Sequence, residues 1–80
     1  MDYRPRGVGS QVIRVELDGD TIKNVEFVGG CNGNTKGISS LVRGMKVDDA
    51  IARMEGITCG NKATSCPDQL AHALKIAAGK

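Results

Sequence analysis

The sequence predicts an α+β domain: a small antiparallel sheet built on a β-hairpin, followed by three helices packed on one face of it. Two observations carry this. Residues 11–17 and 21–28 alternate apolar with polar across an Asp-Gly-Asp turn signal. After Asn32 the apolar period lengthens from two to three or four, and it does so in three separate runs.

Taking the elements in order, Met1 to Gly9 contains Arg4-Pro5-Arg6-Gly7 and reads as a loose arm. In the first strand Ile13, Val15 and Leu17 point one way and Val12, Arg14 and Glu16 the other. Asp18-Gly19-Asp20 turns the chain. The second strand puts Val25 and Phe27 on one face and Asn24 and Glu26 opposite. Two strands alone are marginal, so the arm (as an edge strand) or a partner's edge is the candidate for a third. Residues 32–43 start loop-like and become helical, with Ile38, Leu41 and Val42 on one face and Gly44 as the stop. Val47, Ala50, Ile51 and Met54 give a short second helix. Asp48 and Asp49 lie in its first turn, where the dipole favours them, and Gly56 ends it. The third helix runs from Pro67 to Ala78, with Leu70, Ala73, Leu74 and Ala77 on one side.

With 80 residues the chain is one domain, 1–80, with a thin core. Its only aromatic residues are Tyr3 and Phe27, so Val, Ile, Leu, Met and Ala must fill that core. The net charge is +2, and both signs are mixed along the chain. That is a solvated surface rather than a nucleic-acid footprint, and aromatic platforms for single strands are nearly lacking. No apolar run is long enough to span a membrane, and no secretion signal is recognisable. Three cysteines in such a chain point to a reducing cytoplasm and to free or metal-bound thiols.

All three cysteines lie in polar, glycine-rich stretches that do not build cores: Cys31 within residues 29–37, Cys59 and Cys66 within residues 58–68. Six residues separate Cys59 from Cys66, looser than a zinc-finger pair. Ser65-Cys66-Pro67-Asp68 reads as a helix start: Ser65 caps, Pro67 sits in the first turn and Asp68 completes a box-like pattern. A cysteine at such a position faces a helix dipole that favours the thiolate, the form that binds metal or attacks an electrophile. Cys31 also precedes an expected helix. Asp68 is the nearest candidate for a fourth ligand beside Cys31, Cys59 and Cys66. His72, four residues after Asp68, reads as an exposed helix residue able to pair with it. The glycines of residues 29–37 fail the phosphate-loop pattern, because Lys36 precedes Gly37 and follows Thr35. They read as a tight turn beside Cys31, with anion binding by Gly29, Gly30, Gly33 and Lys36 as the alternative. Ser39 and Ser40 have no histidine–carboxylate partners in view and read as helix-surface residues.

Thr64-Ser65-Cys66-Pro67-Asp68 is the motif that names the TSCPD domain, and residues 28–38 and 56–60 also resemble small stand-alone members of that family. The likeness covers nearly the whole chain. It implies an association with ribonucleotide reductase, since TSCPD domains also form a C-terminal module of adenosylcobalamin-dependent reductases. It implies an accessory role, because 80 residues leave little interior in which a radical enzyme could enclose substrate and cofactor. The order of strands, helices and cysteines is also similar to the IscU/NifU iron–sulfur scaffold. In that comparison Cys31 and Cys66 match two of the scaffold's three ligands, the remaining one falls near Gly9, and Cys59 is an addition. TSCPD members commonly carry a cysteine where this chain has Gly9, so three thiols stand where the family pattern supplies four. The resemblances imply zinc or an iron–sulfur species as cofactor and ribonucleotide reductase or another protein as partner, and leave room for a homo-oligomer. A thiol–disulfide relay and an interaction module with an incomplete metal site stay open beside the metal reading.

Overall fold

The computed structural model describes residues 1–30 and 32–80; the reading of Cys31 lies outside the described residues. Strands β1 (Asp2–Tyr3), β2 (Ser10–Asp18) and β3 (Thr21–Gly29) form an antiparallel sheet in the order β1-β2-β3. Helices α1 (Asn32–Val42), α2 (Val47–Met54) and α3 (Cys66–Ala77) follow. The expected α+β architecture is present. Its core joins Ile13, Val15, Ile22 and Val25 of the sheet to Val42, Val47, Ala50, Leu70 and Leu74 of the helices. The uncovered face of the sheet carries Arg14 between its two cross-strand neighbours, Asp2 and Glu26. Exposed pairs of this kind contribute at most about 1 kcal/mol, so the covered face holds the fold. Among the described residues no helix is long and apolar enough to cross a membrane.

Two bulges modify the expected alternation. Ser10 pairs with Gly29 and Val12 with Val28, which makes Gln11 an extra residue in β2. Glu16 pairs with Asn24 and Leu17 with Ile22, which makes Lys23 an extra residue in β3. An extra residue resets the side-chain alternation. Ile22 therefore shares the covered face with Val25, and Ser10 is buried on the same side as Ile13. The segment after α1 shields part of the outer edge of β3: the Ile22 N–H donates to Met45 O at 2.8 Å and the Gly44 N–H to Ile22 O at 2.8 Å.

The N-terminal arm is not loose. The Met1 ammonium donates to Val15 O and the Val15 N–H to Met1 O, both at 2.9 Å, which extends the short β1 ladder at its Asp2–Arg14 end. Gln69 on α3 then latches the rest. Its Oε1 accepts from the Tyr3 hydroxyl (3.2 Å) and from the Arg6 N–H (3.0 Å), while its Nε2 donates to the Thr64 hydroxyl (2.9 Å). Composition alone hides this, because the partners lie more than sixty positions away in sequence.

The face of α1 also differs from expectation. Thr35, Ser39 and Val42 are buried, Ile38 is half-buried, and Leu41 is 77% exposed. The helix turns its small side chains toward β3, which lets it lie close to the strand, and the long Leu41 is left outside. Ser39 is thus a core-facing residue rather than a surface one, whereas Ser40 is exposed as expected. Helices α2 and α3 bury the residues their periodicity marked, Val47, Ala50, Ile51 and Met54, and Leu70, Ala73 and Leu74.

The Gln69 latch makes a prediction. Gln69→Ala removes a buried acceptor shared by two donors and should cost about 1–3 kcal/mol in a urea titration. Trypsin should then cut after Arg6 faster than in the parent chain. Unchanged cleavage would show that the β1 pairing alone holds the arm.

Candidate functional site

The motif Thr64–Asp68 divides into structural residues and one thiol. Ser65 is the N-cap of α3: its Oγ accepts from the Asp68 N–H at 3.2 Å and donates to Ile57 O at 2.7 Å. Pro67 occupies the first turn, where a missing N–H costs nothing. Asp68 is 6% exposed, and both its carboxylate oxygens have partners. Oδ1 accepts from the Gly56 N–H at 2.8 Å, and Oδ2 accepts a short bond from the Thr64 hydroxyl. His72 Nε2 lies 3.5 Å from Oδ2. The expected capping box is therefore only half formed. The Asp68 side chain does not bond the Ser65 N–H but reaches further back, into the preceding loop, where it ties residues 56 and 64 together. The Thr64 hydroxyl, then the Gly56 N–H and His72, hold the Asp68 carboxyl below the usual aspartate range against the opposing effect of burial.

Cys66 is the motif residue with no part in these capping and loop ties. It is the first residue of α3, half-buried, and its Sγ lies 3.6 Å from the Ser10 hydroxyl. The bulge at Gln11 brings Ser10 to this face. Gly30 adapts to the same contact: its φ is +80°, and a Cβ there would lie 2.7 Å from Ser10 Oγ, so glycine alone lets the chain pass. Cys59 is exposed in the loop that Asp68 secures. Its N–H donates to Thr64 O (3.3 Å) and its carbonyl accepts from the Lys62 N–H (3.0 Å), so the loop closes on itself just ahead of Cys66.

Both thiols line one open cleft of about 650 Å³. The arm contributes Val8 and Gly9, the start of α1 contributes Gly33, Asn34 and Thr35, and the loop adds Lys62. Cys59, Cys66 and Gly9, far apart in sequence, are therefore brought together. Asp68 does not line this cleft, and its oxygens already accept hydrogen bonds. His72 pairs with Asp68 as expected, at 43% side-chain exposure. Lys36 faces a separate depression beside β3, with Glu26 and Arg43, so it does not join Gly33 in one anion cradle. Among the described residues no three His, Cys, Asp or Glu side chains form a metal-binding group. Sequence reading missed Ser10 and Gln69. Gln69 could have been suspected as a polar residue bordering the apolar stripe of α3, but nothing in the sequence announces the bulge that turns Ser10 inward.

A hairpin sheet, three helices and a capped cysteine opening the last helix into a cleft define a small α+β cysteine domain. A family model described as the TSCPD domain matches residues 1–78, and the chain belongs to that family. No curated protein and no solved structure matches it.

The Asp68 knot gives a pH dependence of known sign. A carboxyl whose folded pKa is depressed contributes stability that is complete above its unfolded value, about 3.9, and is lost as pH falls through the folded value. Asp68→Asn should lower the urea midpoint at neutral pH and flatten its fall below about pH 4. Parallel curves for both proteins would show that the acid sensitivity lies elsewhere.

Proposed function

We propose that this TSCPD domain is an accessory module of ribonucleotide reductase in the reducing cytoplasm, and that its thiols hold a thiophilic metal, zinc or an iron–sulfur species. One observation carries the reading: Cys59 and Cys66 share a cleft with Gly9, while the other motif residues are occupied in holding Cys66 there. Thiolates are the donors that zinc and iron–sulfur species prefer, so the two described thiols fit such a group. Cys31 would be the third donor. Asp68 serves better as the tie of the loop than as a ligand, because metal binding would strip the Gly56 N–H or the Thr64 hydroxyl of its acceptor. A bound metal would cross-link the exposed loop to α3, the kind of staple a thin core benefits from. The association with the reductase follows from the family, and the iron–sulfur option from the order of elements that resembles the IscU/NifU scaffold.

The thiol-relay reading has its own support. Cys59 is exposed and Cys66 half-buried, and both are free on the same cleft. The two readings separate in one preparation. Anaerobically purified protein should carry about one metal per chain, with thiols protected until chelation. Cys59→Ser and Cys66→Ser should each lower metal content at least several-fold. Gly9→Cys should slow loss of metal to a chelator, because Gly9 lies outside the left-handed region and a Cβ there stays 3.4 Å from Gly30 Cα. Metal-free protein whose thiols all react freely, and which forms a Cys59–Cys66 disulfide on mild oxidation, would replace the metal reading with the relay.

A further inference from the structure

Leu41 is 77% exposed and Ile57 is 43% exposed, although both are large aliphatic residues. They line a second groove, of about 340 Å³, together with Met54 and Arg53. This groove is continuous with the thiol cleft, because Ile38, Leu41 and Pro67 belong to both. The result is one apolar trough that runs from α2 past α1 to the cysteines.

The two charged residues that line the trough are both basic. Arg53 lines one part and Lys62 the other, and no acidic residue lines either. Among the described residues neither cation has an ionic partner, which is also true of Arg4, Arg6, Lys23, Lys36 and Arg43, so both are free to meet a carboxylate. Glu55, the acid nearest Ile57 in sequence, is held by Lys75 on α3. Asp49 lies one helical turn before Arg53 on α2, but among the described residues it forms no ion pair with it and it lines neither part of the trough. Exposed apolar surface rimmed by charge marks interaction sites, and unpaired charge of one sign selects a partner of the other.

We propose that this trough docks an acidic aliphatic segment of a partner protein: two large aliphatic side chains seat beside Leu41 and Ile57, and flanking carboxylates meet Arg53 and Lys62. The proposal deepens the accessory reading and rests on it, since a module that serves another protein must bind it. The seated segment would lie next to Cys59 and Cys66, so docking and thiol chemistry share one mouth.

The test uses the full chain with labelled Ile and Leu methyl groups. The probe is a twelve-residue acetylated peptide with two leucines at helical spacing flanked by glutamates; its counterparts replace the glutamates with lysines or the leucines with alanines. The acidic leucine peptide should shift the methyl signals of Ile38, Leu41 and Ile57 saturably and bind at least five-fold tighter than either counterpart. Leu41→Ser should abolish the effect, and Arg53→Glu with Lys62→Glu should reverse the charge preference. These side chains are exposed, so an unchanged Tm verifies each variant's fold. Equal binding of the lysine peptide, no saturable shift, or shifts of the same methyls on simple dilution, which would mean a second copy of the chain fills the trough, would overturn the proposal. Metal content should be unaltered by Arg53→Glu alone, a residue that lines the groove and not the thiol cleft, so a failure here is distinguishable from failure of the metal reading.

Discussion

The carboxylate of Asp68 is the contact on which the cysteine end of the molecule depends. Residues 55–63 are exposed throughout and contribute nothing to the core. A segment with no buried side chains has little to oppose its conformational entropy, roughly 1–2 kcal/mol per residue. What holds this one is polar. Asp68 grips the Gly56 N–H at one end and the Thr64 hydroxyl at the other, and Ser65 adds its bond to Ile57 O. These bonds sit at a buried carboxylate with two oxygens satisfied, where charge-assisted hydrogen bonds are strongest and the loss of one leaves an uncompensated group.

The same knot reaches the N-terminus. The Thr64 hydroxyl that donates to Asp68 accepts from Gln69, and Gln69 accepts from the arm at Tyr3 and Arg6. One chain of hydrogen bonds therefore runs from loop to helix to arm. It fixes three of the segments that line the cleft: the arm at Val8 and Gly9, the loop at Cys59 and Lys62, and the start of α3 at Cys66. The fourth, α1, is placed by packing of its small face on β3. The cleft is thus a consequence of polar ties and of close helix–strand approach together.

Much of this was legible in the sequence. Period two gave the hairpin, period three to four gave α2 and α3, and Ser65-x-Pro67 gave the helix start, because each rests on local chemistry. What was not legible depends on distant partners. The bulges at Gln11 and Lys23 arise from pairing register, and they decide that Ser10 and Ile22 face inward. On α1 two faces compete, one with Leu41 and one with Thr35 and Ser39, and hydrophobicity ranks them wrongly. The sheet accepts the face that can approach closely, a steric criterion that an apolar count does not contain. The meeting of Cys59, Cys66 and Gly9 came from family resemblance, since six residues of polar loop between two thiols fix no geometry by themselves.

The exposure of Cys66 separates the bland account of the motif from the functional one. A cysteine used as a small hydrophobe is buried among apolar side chains. Cys66 instead opens a helix, is only half-buried, faces a cleft and has a hydroxyl 3.6 Å from its sulfur. Helix initiation alone would be served by Ser65 and Pro67, and loop closure alone by Thr64 and Asp68. Neither role needs a sulfur at position 66. Four residues of the motif are explained by what they hold, and the fifth is the one that the proposed thiol chemistry would use: a sulfur held at a fixed place on an open cleft.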